Sequence, residues 1–208
     1  MNNTIVYLIR HQQSMNVVNE INSDSLQLEN EKKILSVKGE YLAKKMSESK
    51  ELQNIDILYS SNYVRSISTA KYIASKNNIS LNINENFGER RYGVNKYEEL
   101  PIDFEVMQFN DENYKLENGE NQKEVRERMY NALMSILNQN KRKRIVVVSH
   151  ATAIAYLLKK WCLIEYNNEY KFNNKIFFDG IWKCGEIFKL EFDGKNKLID
   201  IKNIKITE

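Results

Sequence analysis

The chain has 208 residues, 42% of them hydrophobic and 28% charged, with a formal net charge of +3. That length suits one domain over residues 1–208 with a sizeable core, and that composition excludes collagen-like, disordered and membrane classes. Three surplus positive charges are too few to imply a nucleic-acid partner, and no run approaches the roughly 18 apolar residues of a membrane span.

In chain order, the apolar run at 4–9 reads as a strand that ends at Arg10 and His11. A helix follows with Ser36 as its N-cap, running through Tyr41, Leu42 and Met46. Residues 56–60 form a second strand run. After Ser60-Ser61-Asn62, a helical pattern places Val64, Ile67, Ala70, Ile73 and Ala74 on one face. A short strand is expected at 81–83.

The stretch 94–119 differs in character. It holds the only proline, Pro101, with the aromatics Tyr97, Phe104, Phe109 and Tyr114 and seven acids against Lys96 and Lys115. It reads as a lid inserted between core elements. Helical spacing resumes with Val125, Met129, Leu133, Ile136 and Leu137, and the basic block from Lys141 to Arg144 reads as cations at that helix's C-terminus. The run at 145–149 reads as a strand buried on both faces, with a helix starting just after His150. Past Asn174 the pattern turns to edge or antiparallel strands, through Ile187, Phe188, Leu190 and Phe192 and then Leu198, Ile201, Ile204 and Ile206. Strand runs alternating with helical patterns predict an α/β fold: a three-layer α/β/α sandwich around a mostly parallel sheet, with a lid insertion. Cys162 and Cys184 stand in the apolar contexts KKWCLI and WKCGEI. They are expected as free thiols packed in a core, in a reducing, cytoplasmic setting without a signal peptide.

The chain contains two histidines, and each directly follows a strand run, as LIR-His11 and VVS-His150. Parallel sheets bind ligands beyond the carboxyl ends of their strands, so the two imidazoles can face one pocket across 138 intervening residues. Arg10 precedes the first histidine, and Arg65 falls in the first turn of a helix, where backbone N–H groups are free. Guanidinium forks bind phosphoryl oxygens in pairs, and helix N-termini favour anions. Taken together these residues describe an anion pocket.

Six blocks in register resemble the histidine phosphatase superfamily, which includes the cofactor-dependent phosphoglycerate mutases. They are Arg10-His11-Gln12-Gln13-Ser14, Leu35-Ser36-x-x-Gly39, Ser60-Ser61-x-x-x-Arg65 with Thr69-Ala70, Glu89-Arg90-Arg91-Tyr92-Gly93, Gly119-Glu120 with Glu124-Val125, and Val148-Ser149-His150. The resemblance runs from about residue 4 to residue 158 and more loosely to the end. It implies that His11 is the nucleophile, that Arg10, Arg65 and His150 hold the phosphoryl oxygens, and that Glu89 serves as acid and then base. The implied partner is a small phosphorylated substrate, with no cofactor and no metal.

Two departures bear on the pocket. The family carries glycine after each catalytic histidine, where this chain has Gln12 and Ala151, changes expected to narrow the phosphate pocket or alter its donors. The family's motif asparagine falls at Val17, which transfers that phosphate contact to Asn16. Arg90 and Arg91 stay open between substrate contact and ion pairing.

A mutase of the same family would call for extra cations in the lid, where only two lysines stand, so hydrolysis is favoured. An inactive phosphate-binding scaffold is a further alternative. No G-x-x-x-x-G-K-[ST] loop exists, because Val94 and Asn95 follow the glycine pair Gly88 and Gly93. Neither cysteine has an arginine six residues on, and no G-x-S-x-G elbow is present. The lid acids Glu98, Glu99, Asp103, Glu105, Asp111, Glu112 and Glu117 are expected at the pocket mouth, where they would favour one phosphate on a neutral or cationic body.

Overall fold

The run TIVYLIR is β-branched and apolar without glycine or proline, and it forms the strand β1 (Thr4–Arg10). The computed structural model describes residues 3–15, 25–166 and 168–206. After β1 come β2 (Ser14–Met15), α1 (Leu26–Lys32), β3 (Ile34–Leu35), α2 (Val37–Ser47), β4 (Ile57–Ser60), α3 (Val64–Asn77) and β5 (Leu81–Ile83). Next are α4 (Phe104–Asn110), α5 (Gln122–Gln139), β6 (Arg144–Ser149) and α6 (Ala151–Leu158). The remaining strands are β7 (Leu163–Ile164), β8 (Tyr170–Phe172), β9 (Lys175–Phe178), β10 (Ile187–Phe192) and β11 (Leu198–Ile204).

The main sheet has the order β11-β10-β1-β6-β4-β5. β1, β6, β4 and β5 pair in parallel, whereas β10 is antiparallel to both β1 and β11. Alternation along the two central strands sorts the core into two layers, because successive side chains leave a strand on opposite faces. Val6 and Leu8 of β1 and Ile145 and Val147 of β6 pack with Val125, Met129 and Leu133 of α5 and Ile154 and Leu157 of α6. Tyr7, Ile9, Val146 and Val148 face the other way, onto Met46 of α2 and Ala70 and Ile73 of α3. Each such fully buried side chain contributes about 1.5–3 kcal/mol. The predicted mostly parallel sheet with helices on both faces is therefore present, and the chain-end strands are antiparallel as expected.

Capping fixes where the helices start. Ser36 accepts the Gly39 N–H at 3.0 Å at the start of α2, and Asn121 and Glu124 form a reciprocal capping box on α5.

The sequence did not reveal α1, α4 or the small antiparallel sheet β7-β8-β9. α4 lies within the 94–119 stretch, and the two ends of that stretch meet in space. A Cβ at Gly93, whose φ is +86°, would collide with the Gly119 backbone, and one at Gly119 would meet the Tyr92 carbonyl oxygen. The chain leaves and re-enters the core at that one point.

Two expectations need correction. Cys184 is exposed instead of packed in the core, although Cys162 is buried; burial pushes the Cys162 thiol up to about 12. The basic block follows the end of α5 in the turn to β6, where Lys143 pairs with Asp56 at 3.1 Å and Arg144 Nη2 donates to the Glu51 carbonyl at 2.6 Å. Among the described residues no helix is long and apolar enough to cross a membrane.

Candidate active site

Three neighbouring parallel strands end at one edge of the sheet, and the site grows from that edge. Arg10 is in register with Ser149, and Ser60 with Val148. The next residues extend the ladder: the His11 N–H donates to the Ser149 carbonyl at 2.9 Å, and the Ser61 N–H to the Val148 carbonyl at 3.0 Å. The two imidazoles consequently lie side by side, with ring centroids 5.2 Å apart. Both are buried, His150 completely.

Arg65, in the first turn of α3, reaches both rings. Its Nε donates to His11 Nε2 at 2.9 Å and its Nη2 to His150 Nδ1 at 3.1 Å, while Nη1 donates to the Asn30 carbonyl. His11 Nδ1 lies 2.7 Å from the Gln12 carbonyl, which can only accept, so the proton of the neutral ring is on Nδ1 and the Nε2 lone pair accepts from Arg65. His150 has the opposite tautomer: Nδ1 accepts from Arg65, and Nε2 faces the Ser61 and Ser66 hydroxyls at 2.9 and 3.3 Å. Burial first, and the Arg65 charge second, lower His11 to about 3, with Arg10 adding to the effect. The same causes hold His150 well below its ordinary value. Both rings are neutral at physiological pH.

Arg10 Nη1 donates to the Trp182 carbonyl at 3.3 Å, and its buried Nε has no partner among the described residues. Glu89 Oε1 accepts the Arg90 N–H at 2.9 Å and the Ala153 N–H at 3.0 Å, so this carboxylate sits against the first turn of α6. Ala151 opens that helix directly after His150. His11, Arg65 and His150 form one hydrogen-bonded cluster, with Arg10 adjoining His11 in the chain and Glu89 and Ala151 at the α6 end.

Other expected contacts fall elsewhere. The Gln12 side chain does not narrow the space around Arg10. It lies against Met46 Sδ at 3.7 Å and Gly185, lining a separate cavity of about 360 Å³ that also includes Leu42 and Ile204. Its backbone, by contrast, serves the site through the carbonyl on His11 and through an N–H donated to Thr69 Oγ1 at 3.0 Å. Arg90 is almost fully buried: its terminal nitrogens donate to Gln108 Oε1 at 2.6 Å and Glu105 at 3.4 Å, its guanidinium lies on the rings of Tyr92 and Phe104, and its Nε has no partner among the described residues. Asn16 lies outside the described residues.

The acids of the 94–119 stretch do not ring a pocket mouth. A cavity of about 250 Å³ beside Arg10, Ala151 and Thr152 is bordered by Glu105 alone of the seven acids. Glu112 pairs instead with Arg126 at 2.7 Å. Phe104 packs against Tyr92 and Tyr114, whereas Phe109 does line the cavity.

Two residues have positioning contacts to which the sequence assigned no role, although Thr69 stands in one of the resembling blocks. Thr69 stands one helical turn after Arg65 and bonds its carbonyl at 2.8 Å, a relation its i+4 spacing could have suggested. Arg128 gave no signal: it forks onto both oxygens of buried Glu120 at 2.8 and 3.0 Å and donates to the carbonyls of Gly88 and Glu89 at 3.1 and 3.2 Å. Burial, the largest single influence, would raise Glu120, but the Arg128 hydrogen bonds and charge together with the Arg91 N–H and charge outweigh it and hold the carboxyl below its ordinary value.

Comparison with known proteins fits this geometry. The family model of the histidine phosphatase superfamily (branch 1) matches residues 6–176. No curated protein sequence matches the chain. Among solved structures, a mycobacterial glucosyl-3-phosphoglycerate phosphatase superposes with a TM-score of 0.70 at 15% identity, over 98% of this chain and 100% of that one. A mutant of an Entamoeba histolytica phosphoserine phosphatase, in complex with phosphoserine, does so at 0.65 and 21%, over 96% of each chain. An Escherichia coli protein described as a candidate α-ribazole-5′-phosphate phosphatase gives 0.67 at 16%, over 98% and 97%. At these identities the likeness establishes a shared fold.

Proposed function

The chain belongs to branch 1 of the histidine phosphatase superfamily, and from that premise we propose that it hydrolyses a small phosphomonoester through a phosphohistidine on His11 Nε2. The observation that carries this reading is the tautomer. The Gln12 carbonyl accepts from Nδ1, which leaves Nε2 unprotonated and facing the Arg65 guanidinium.

In the first step Nε2 bonds to phosphorus as the ester P–O bond breaks, and Glu89 gives its proton to the departing oxygen. In the second step water attacks phosphorus, Glu89 takes the water's proton, and the N–P bond breaks to release phosphate. Arg65 donates to the attacking lone pair in the free protein, so an arriving phosphoryl group takes over that donor before attack. Arg10 Nε, a buried donor without a partner among the described residues, suits another phosphoryl oxygen. Such groups act chiefly by placing the phosphoryl group and balancing its charge.

Hydrolysis fits better than transfer to a second acceptor, because the arginine beside Arg10 in the cavity, Arg90, is already tied to Glu105 and Gln108. The test is a hydrolysis screen over phosphorylated metabolites, with and without a chelator, comparing wild type with His11→Ala. The expected result is chelator-insensitive turnover lost in the variant by several orders of magnitude. Turnover near wild type in His11→Ala would rule out attack by His11.

A further inference from the structure

The cavity beside Arg10 has an unusual lining for a site that takes an anion. Its walls are aromatic, with Phe109 from α4, Tyr156 from α6, and Tyr166 and Trp182 from the segments flanking the small sheet. The ring of Phe109 packs on that of Tyr166 at 5.1 Å, and the Trp182 indole N–H donates to the Tyr170 hydroxyl at 3.0 Å, which fixes two of these walls. The turn bearing Glu165 and Tyr166 is held as well. Gly180, with φ at +80°, lets the Asn168 backbone approach so closely that a Cβ there would collide with the Asn168 carbonyl oxygen.

The charged residues lining this cavity sort into three parts, while Lys159, outside the lining, holds its ammonium over the Phe109 ring at 3.7 Å. Arg10 lies at the phosphate end. Arg90 and Glu105 form a pair at 3.4 Å and largely cancel. Glu165 remains: its carboxylate accepts the Asn168 side-chain amide at 2.9 Å and forms no ion pair among the described residues. A rigid aromatic wall with one uncompensated carboxylate is the recognition chemistry of a cation, which gains from the negative ring faces and from the carboxylate together. A volume of about 250 Å³ is below the range of ordinary drug-sized pockets, so the occupant is small.

Resting on the phosphatase reading above, we propose that the substrate is a phosphomonoester of a small cationic amino alcohol, with its phosphate on Arg10 and its ammonium between the aromatic wall and Glu165.

The experiment compares kcat/KM for phosphocholine with that for 3,3-dimethylbutyl phosphate, which has the same shape without the charge, using p-nitrophenyl phosphate as a reporter of the chemistry itself. Phosphocholine is expected to be preferred by about tenfold, and Glu165→Gln, which leaves the aromatic wall in place, is expected to reduce that ratio several-fold. Parity in the wild type, or preference for the neutral ester, overturns the inference and leaves the phosphatase reading standing if p-nitrophenyl phosphate is hydrolysed. A preference undiminished in Glu165→Gln overturns its assignment to this cavity. Failure to hydrolyse any of the three esters overturns the phosphatase reading itself, and this inference with it.

Discussion

At the scale of single residues, the two histidines combine burial with a shared arginine, and both effects favour the neutral ring. His11 is lowered to about 3 from an ordinary 6.5, so between those values the unfolded chain takes up a proton that the folded one does not. Stability from this group is therefore complete above pH 6.5 and is lost progressively as pH falls toward 3, at about 1.4 kcal/mol per pH unit for each such imidazole. Chemical denaturation between pH 7.5 and 4.5 should show a steeper acid loss in wild type than in His11→Asn. Equal slopes would mean that His11 titrates normally in the folded state. Gln12 illustrates how a side chain and its backbone separate in function: the carbonyl that orients His11 is available whatever side chain stands there. The loss of the family's glycine therefore leaves the hydrogen bond to His11 intact.

At the scale of elements, the loops after β1 and β5 are held by contacts from distant helices. Gly39 in α2 lets the Gln13 carbonyl approach its Cα side, and Ser36 Oγ donates to that carbonyl at 3.3 Å, so the segment following His11 is braced by a helix start. On the other side Arg128 of α5 holds the segment carrying Glu89 through the carbonyls of Asn86, Gly88 and Glu89 while forking onto the Glu120 carboxylate. Removing the half-buried guanidinium leaves the buried Glu120 carboxylate without its fork, which costs about 1–3 kcal/mol. Arg128→Ala should therefore lower stability by that order in urea denaturation, and turnover of the folded fraction should fall as Glu89 loses its bearing. A variant as stable as wild type would show that the Arg128–Glu120 pair does not hold this segment.

At the scale of the whole molecule, the sequence revealed what periodicity and strand ends can encode. The apolar runs of β1 and β6, helical spacing in α2, α3 and α5, the start of α6, and the placement of His11 and His150 after strands were all legible, because a parallel sheet brings its carboxyl ends to one edge by geometry alone. What builds the cavity walls was not. β7, β8 and β9 are two to four residues long, too short for a period to register, and Tyr166, Tyr170 and Trp182 meet through tertiary folding of that segment. The acids of the 94–119 stretch were read by count, whereas only Glu105 is turned toward the cavity. The measurement that bears most directly on the proposed mechanism is a rapid denaturing quench of the protein during turnover of a radiolabelled phosphomonoester, followed by mapping of the label. The expected result is acid-labile, alkali-stable phosphate on His11, absent from His11→Ala; alkali-labile phosphate on a serine, or active turnover with no phosphorylated protein at any quench time, would contradict it.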